Sequence, residues 1–410
     1  MTRWKLIPDA AFLDPPGELV PDVTVLVEDG CIVAVGRAAE VPDDGATPLR
    51  LAGLNLFPGL INTHVHLAFG AVPDVRARYL AESPGARVIR AVVNAQTLLR
   101  SGVTTARDCG SDALVMTALA GAAAAGLVPL PNLLLCGPPL TPTGGHLHFL
   151  GGEVDGAEAI KSRVRGLHKE GATSIKAMAT GGQMTPGTLP EFPSYTQAEL
   201  VALVETAREL ALPTVAHCLS AEGTLLSARA GIDSIEHCAF FERESHGWLE
   251  RVYRDDVTAA IRASGAAVMM GLSANHHGLA AARAGAPASE RERFLLAQEH
   301  RMMGIFRRMA NEGVPMIVGT DAGVINTPFD ESWLELELMV QAGLTPLEAL
   351  RGATLRAARA MHIDTITGAI RAGLRADLIA LAGNPLERPE AFRDVSFVMV
   401  NGVPAKEYLV

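Results

Sequence analysis

The chain has 410 residues and a formal net charge of −10, with 35 lysine and arginine residues against 45 aspartate and glutamate residues. A hydrophobic fraction of 49% excludes a disordered chain and supplies enough apolar side chains for a large core. Phosphate binding needs clustered lysine and arginine, so the acidic balance predicts no nucleic-acid partner. A chain of this length holds two or three folding units unless one is a large α/β barrel.

The five cysteines are widely spread and form no CxxC pair, which predicts buried thiols in a reducing compartment. Residues 1–16 lack the apolar stretch of a signal peptide. The apolar segment 115–135 is interrupted by Pro129 and Pro131, which favours a helix turning into a strand over a membrane span. We therefore expect a cytoplasmic protein with no membrane partner.

Both ends of the chain have the pattern of β-strands. Apolar and polar residues alternate on either side of Asp29-Gly30 in 23–35, and again around Asn401-Gly402 in 395–404. Such dipeptides between alternating segments predict two-residue hairpin turns. We expect β-rich segments at both termini.

Between these ends, short apolar runs alternate with segments of helical periodicity, such as 196–211 and 291–313. The eight runs are 56–64, 102–110, 132–137, 173–179, 213–218, 233–238, 266–273 and 315–323. Eight strands that are each followed by a helix predict an α/β fold of the (β/α)₈ TIM barrel type. A doubly wound sheet is the alternative, but no run is followed by a G-x-G-x-x-G turn.

Polar residues occur at the ends of these runs, where a parallel barrel holds its chemistry. They are His64 and His66 in the first run, Lys176 in the fourth, His217 in the fifth, His237 in the sixth and Asp321 in the eighth. Residues two apart in a strand share a face, so His64 and His66 project together. The same period turns Cys218 and Cys238 away from the face of the neighbouring histidines.

Taken singly, these residues have structural explanations: a lone histidine is often hydrogen-bonded, and Asp321 fits a helix N-cap. Lys176 is harder to explain, because an unpaired ammonium in an apolar strand is costly. Together the six predict a metal centre. Imidazole and carboxylate ligands without thiolate favour zinc, with Mn, Fe or Co as alternatives. Such a centre polarises carbonyls and activates water, which predicts a hydrolase.

These motifs carry a family resemblance. FPGLINTHVHL resembles the first strand of the amidohydrolase superfamily, and GVTTARDCG, VAHC, IEHC and GTDAG resemble its later strands. TGAIRAGLRADLIAL followed by VMVNGVP resembles the closing part of its small β domain. The resemblance covers essentially the whole chain. It implies a small β-sandwich domain from 1–56 and 364–410 beside a metal-dependent hydrolase barrel over 57–363.

Within this superfamily, the chain resembles the branch of imidazolonepropionases and metal-dependent Xaa-Pro, Xaa-Arg and Xaa-Lys dipeptidases. Lys176 favours the dipeptidases, because imidazolonepropionase lacks this lysine and holds one metal. The likeness implies two divalent ions bridged by a carboxylated Lys176 and a hydroxide. It further implies that the hydroxide attacks an amide-like carbonyl while Asp321 passes the proton to the leaving nitrogen. The implied ligands are His64, His66 and Asp321 for one ion, and His217 and His237 for the other.

The loop 141–153 follows the third run and is the candidate for recognition of a small-molecule substrate. In the dipeptidases a similarly placed Gly-Gly-His contacts the substrate carboxylate, which by resemblance assigns His146 to substrate binding. Tyr195 follows the fourth run and is a second candidate, with loop anchoring as its alternative. The roles of His148, His276 and His277 stay open.

We expect hydrolysis of an amide or peptide-like C–N bond in a dipeptide or an N-acyl amino acid, by a homo-oligomer. Three alternatives stay open: a mononuclear cyclic-amide hydrolase like imidazolonepropionase, a carbamate or aryl-amide hydrolase, and a non-catalytic scaffold on the same fold. Barrel loops set specificity, and the fold itself does not determine the substrate.

Overall fold

The computed structural model describes residues 3–42, 45–243, 247–284 and 289–406. The strands in these ranges are β1 (Arg3–Leu13), β2 (Glu18–Pro21), β3 (Val23–Glu28), β4 (Cys31–Arg37), β5 (Thr47–Pro58), β6 (Leu60–Val65), β7 (Val103–Asp108), β8 (Asn132–Leu135), β9 (Ile175–Met178), β10 (Thr214–Ser220), β11 (Ser234–Arg243), β12 (Leu249–Arg251), β13 (Ala267–Met269), β14 (Leu378–Leu381), β15 (Val395–Val400) and β16 (Val403–Lys406).

The α-helices are α1 (Val75–Ala81), α2 (Pro84–Arg100), α3 (Ala113–Ala124), α4 (Ala157–Glu170), α5 (Gln197–Glu209), α6 (Ala221–Ala230), α7 (Asp255–Ser264), α8 (Leu272–Gly278), α9 (Ala280–Arg283), α10 (Glu290–Asn311), α11 (Ser332–Gln341), α12 (Pro346–Gly352) and α13 (Leu355–Ala360). Short 3₁₀ segments occur at His148–Leu150 and Pro389–Asp394. The mixed α/β class is confirmed.

The strands of the central region pair in parallel around a ring. Strands β6, β7 and β8 form one parallel sheet, and β9, β10, β11 and β13 pair in parallel in a second. Leu140 pairs with Ala177 and so joins the two sheets on one side. On the other side, the segment 315–323 pairs with Val268 of β13 and with Val65 of β6. This order of eight parallel segments is the one expected of a (β/α)₈ barrel.

The eighth segment is not a regular strand, contrary to the prediction for 315–323. Its backbone N–H groups find irregular partners: Val318 donates to the carbonyl of Gly352 at 2.9 Å, and Thr320 donates to the side-chain oxygen of Asn62 at 3.2 Å. The backbone at Asp321 is left-handed, with φ of 56°. A local distortion rather than strand alternation therefore orients Asp321.

Both chain ends enter one eight-stranded sheet, in the order β16-β15-β14-β5-β1-β3-β4 with β2 on β1. The two predicted hairpins are confirmed, and their turns Asp29-Gly30 and Asn401-Gly402 have positive φ at all four residues. A Cβ on Gly402 would lie 2.6 Å from Cα of Gly30, so the turns pack backbone to backbone. The two-layer sandwich and the boundaries at 1–56, 57–363 and 364–410 stay predictions.

The predicted helices are present as α5 and α10, and each begins with a capping box, at Thr196 and Ser289. The apolar segment 115–135 forms most of α3 and then β8, as predicted. No helix in the described part of the chain has the length and hydrophobicity to cross a bilayer. Four of the cysteines are buried, but Cys31 is exposed, so the expectation of buried thiols is wrong there.

Asp377 joins the terminal sheet to the barrel. Its buried carboxylate accepts hydrogen bonds from Arg375 at 2.7 Å, from the side chain of Asn132 on β8 at 3.2 Å, and from the backbone N–H of Asn401 at 2.9 Å. Because these donors come from three separate parts of the chain, one carboxylate connects β8 to the C-terminal hairpin.

We expect Asp377→Ala to lower the free energy of unfolding by about 3 kcal/mol, because it leaves a cation and buried donors without their acceptor. Urea unfolding followed by circular dichroism measures this. Asp364→Ala is the matched control, since the side chain of Asp364 is 40% exposed and lies 3.8 Å from Arg359, and it should change stability by less than about 0.5 kcal/mol. Equal effects of the two substitutions would contradict the assignment.

Candidate metal centre

The structure brings the six predicted metal-binding residues to the catalytic end of the barrel, where four histidine rings contact one another in sequence. The centroid separations are 5.2 Å for His66 and His64, 5.2 Å for His64 and His237, and 4.7 Å for His237 and His217. The ring of His146 continues the row, 4.8 Å from His217. The row spans residues from four separate segments of the barrel.

His64, His66 and Asp321 form the tightest group, with ligand atoms that all lie within 4.8 Å of one another. The Nε2 atoms of the two histidines are 3.3 Å apart and lie 3.3 and 3.4 Å from Oδ1 of Asp321. Nδ1 of His66 faces the carbonyl of Gly110 at 3.2 Å, which leaves Nε2 to face the group. Two imidazoles and a carboxylate fit a divalent transition metal such as zinc.

A buried carboxylate orients His64 from behind. Nδ1 of His64 lies 2.6 Å from Oε2 of Glu236, and Arg107 donates to the other oxygen of Glu236 at 3.2 Å. Arg107 is fully buried and also donates to Ser234 at 2.7 Å and to the carbonyl of Thr63 at 2.9 Å. A histidine that donates from Nδ1 to a carboxylate has its Nε2 lone pair free for a metal.

Sequence reasoning missed Glu236 and Arg107. Strand alternation puts Glu236 on the face opposite His237, yet both side chains reach the interior, because the backbone of β11 is left-handed at His237 with φ of 71°. The signal that singled out Lys176, a charge in an apolar run, is also present in TARD and SIEH. The same criterion, applied to these two segments, selects Arg107 and Glu236.

Lys176 lies in β9 and is 1% exposed. Its Nζ has no hydrogen-bond partner within the described residues, and neither does Oδ1 of Asp321. An ammonium and a carboxylate oxygen left unbonded in one interior are costly, since each has lost its hydration. Both atoms are therefore available to an additional group at this site.

Burial keeps the histidines neutral. It lowers the pKa of His66 to about 3 and the pKa values of His64, His217 and His237 well below their usual value, and the charge of Lys176 acts in the same direction. Neutral imidazoles carry the lone pair that a metal needs. Burial also raises the pKa of Asp321 to about 7, against the influence of Lys176.

His146 lies beside the row of histidines in the loop 141–153. Its Nδ1 faces the hydroxyl of Thr185 at 2.9 Å, and burial lowers its pKa to about 3. A Cβ on Gly182 would lie 2.3 Å from the His146 ring, so only glycine fits there. Thr185 and Gly182 both follow β9, and together they fix the orientation of this imidazole.

The other candidates lie further from the group. The hydroxyl of Tyr195 donates to the carbonyl of Val154 at 3.0 Å, so this residue anchors the recognition loop, and its substrate contact stays a prediction. His148 starts the short 3₁₀ turn. Nε2 of His277 is 3.0 Å from the carboxylate of Glu331, and His276 precedes it on α8.

The chain belongs to the amidohydrolase family, which it matches over residues 55–405. It is therefore an enzyme that hydrolyses amide C–N bonds.

Two relatives and one solved structure are similar to this chain over most of its length. The ochratoxinase of Aspergillus niger is 28% identical over 92% of this chain and 81% of its own length. The imidazolonepropionase of Pseudomonas paraeruginosa is 27% identical over 94% of this chain and 93% of its own. A prolidase in complex with N-methylphosphonate-L-proline is 26% identical with a TM-score of 0.83, covering 99% of this chain and all of the other.

We expect Glu236→Gln to weaken binding of Zn²⁺ by about 10- to 100-fold, because the amide cannot hold the His64 tautomer as the carboxylate does. Competition with a chromogenic chelator measures the affinity. Glu335→Gln is the matched control, because Glu335 is equally buried but accepts from the backbone N–H groups of Leu272 and Ser273. A Glu236 variant with the parent's affinity would refute the orienting role.

Proposed function

We propose that this enzyme is a binuclear metal-dependent hydrolase that cleaves the C–N bond of a dipeptide or an N-acyl amino acid. The observation that carries the proposal is Lys176, a buried amine without an acceptor among the described residues, in an interior lined with neutral imidazoles. Carboxylation by CO₂ turns this amine into an anion with two oxygens, which suits two cations as a cationic amine does not.

The histidine row divides into two halves, and each half would supply ligands to one metal ion. His64, His66 and Asp321 would hold one ion, His217 and His237 would hold the second, and carboxylated Lys176 would be shared. Zinc fits this donor set, as do Mn, Fe and Co. When bound, such ions supply Lewis acidity toward a carbonyl and lower the pKa of water toward about 7.

Asp321 is the proposed proton shuttle. Its Oδ1 lies in the group and accepts no hydrogen bond within the described structure, so it is free to take a proton from the attacking water. The same carboxyl then donates that proton to the leaving nitrogen, which would otherwise depart as an unstable amide anion. The fixed left-handed backbone at Asp321 keeps the carboxylate aimed at the group.

His146 is the proposed contact for a substrate carboxylate. Its Nδ1 is engaged by Thr185 while its ring adjoins His217, so Nε2 is the atom available to a substrate. The prolidase relative was solved in complex with N-methylphosphonate-L-proline, a proline derivative, which supports an amino-acid substrate for this enzyme. Carbamates and aryl amides are the alternative substrates, and we expect a homo-oligomer.

A mononuclear, imidazolonepropionase-like hydrolase is the second candidate. It is favoured by the group of His64, His66 and Asp321, which is the compact set of ligand atoms found in the described part of the chain. The 27% identity to an imidazolonepropionase supports it further. The number of metal ions in active enzyme separates the two candidates.

We expect close to two divalent ions per chain by elemental analysis of active enzyme. Lys176→Ala should lose metal and activity, and short carboxylic acids such as propionate should restore part of both by replacing the carbamate. Lys161→Ala is the control, because Lys161 pairs with Glu158 at the surface. One ion per chain in fully active enzyme, or no rescue by propionate, would favour the mononuclear candidate.

A library of dipeptides and N-acyl amino acids, assayed for released amino acid, tests the substrate class. On any substrate found, Asp321→Asn should lower kcat at least about 100-fold, because asparagine cannot shuttle a proton. Asp233→Asn is the control, since Asp233 bonds Thr214 and His362 at the opposite end of the barrel. An unchanged kcat for Asp321→Asn would leave this residue without the shuttle role.

A further inference from the structure

Arg251 lies at the catalytic end of the barrel, next to a strand that carries a proposed metal ligand. It is the last residue of β12, which pairs antiparallel with the end of β11 so that Arg251 lies opposite Phe241. Its Nη1 donates to the carbonyl of Ala239 at 3.1 Å, two residues beyond His237. This hydrogen bond places the guanidinium beside the part of β11 that carries His237.

The guanidinium of Arg251 is held in a fixed position. Its central carbon lies 4.7 Å from the ring centroid of Phe241, which gives a stacked cation–π contact. The backbone N–H of the same residue donates to the side chain of Gln298 on α10 at 2.8 Å. A planar group that is stacked and hydrogen-bonded in advance loses little entropy when it binds a ligand.

Among the residues that the structure describes, this cation has no counter-ion. Within the described residues no carboxylate forms an ion pair with Arg251, and its buried Nε has no hydrogen-bond partner. Glu299 is the carboxylate that acts on its pKa, but Glu299 is bound by Arg283 and by Asn275. Burial lowers the pKa of Arg251 to about 10, which still leaves it charged at neutral pH.

We propose that Arg251 binds the carboxylate of an amino-acid substrate, on the His237 side of the site. This inference rests on the proposed function and defines its substrate class as one with a free carboxylate. A desolvated cation without an anion is costly, and a ligand carboxylate removes that cost while its two oxygens match the guanidinium fork. His146 adjoins His217 instead, so Arg251 is a charged contact separate from the one proposed for that imidazole.

Binding of amino acids tests this inference without any turnover. The probes are L-proline, L-phenylalanine, L-methionine and L-leucine, each paired with the amino alcohol that replaces its carboxylate by a neutral CH₂OH group. Isothermal titration calorimetry on the metal-loaded enzyme gives the affinities. We expect at least one acid to bind ten times more tightly than its alcohol.

Arg251→Gln should weaken binding of that acid by about 10- to 100-fold and leave the affinity for its alcohol unchanged. Arg251→Lys should restore part of the preference for the acid. Arg254→Gln is the control, because Arg254 is paired with Asp256 at the surface and should keep the parent's preference. Metal content and melting temperature are checked for each variant.

The inference is overturned if no acid binds better than its alcohol, or if Arg251→Gln weakens acid and alcohol alike. A third outcome is acid selectivity that depends on Arg251 together with no hydrolysis of the dipeptide and N-acyl amino-acid library. That outcome would support the anion site and refute the proposed reaction. The two failures are thus distinguishable.

Discussion

Desolvated charge is the constraint on which the centre of this barrel depends. Lys176 brings an ammonium to a position that is 1% exposed, and neither it nor Oδ1 of Asp321 has a hydrogen-bond partner in the described structure. These two groups lower the free energy of unfolding, because neither gains a hydrogen bond that replaces its lost hydration. In the proposed binuclear centre, cations and a carbamate would replace the missing bonds. Folding stability is lost at Lys176 and Asp321, and in the proposed function the same two groups carry the chemistry.

Other buried charges near the site are paired with each other. One layer further into the barrel, Arg107 and Glu236 are just as buried, but they pair with each other and with Ser234 and the backbone of Thr63. All of these hydrogen bonds are buried, and the network ends at Nδ1 of His64. In the proposed centre, Glu236 and Arg107 therefore set the orientation of the metal-facing nitrogen of His64. His146 and Arg251 bond elsewhere, to Thr185 and to the carbonyl of Ala239.

Sequence reasoning succeeded where chemistry and periodicity coincide. The hairpin turns, the capped helices and the convergence of polar residues at strand ends each follow from local rules, and the structure contains them. It failed where the backbone departs from regular geometry. The left-handed conformation at His237 brings Glu236 to the same interior, and the irregular eighth segment depends on distant partners such as Gly352. The anchoring bond of Tyr195 to Val154 joins two loops, and no single-sequence pattern encodes such a pairing.

The terminal sheet also has a consequence for how the chain is made. One edge of strand β5 pairs with β1, but the other pairs with β14, which follows some 320 residues later. That second edge therefore has no partner until nearly the whole polypeptide has left the ribosome. At 5–20 residues per second that delay is roughly 20–60 s. During this interval the nascent chain exposes an unpaired, largely apolar strand edge, which is a template for association with other chains. Protection of β5 by chaperones, or slow growth at low temperature, therefore bears directly on the yield of folded enzyme.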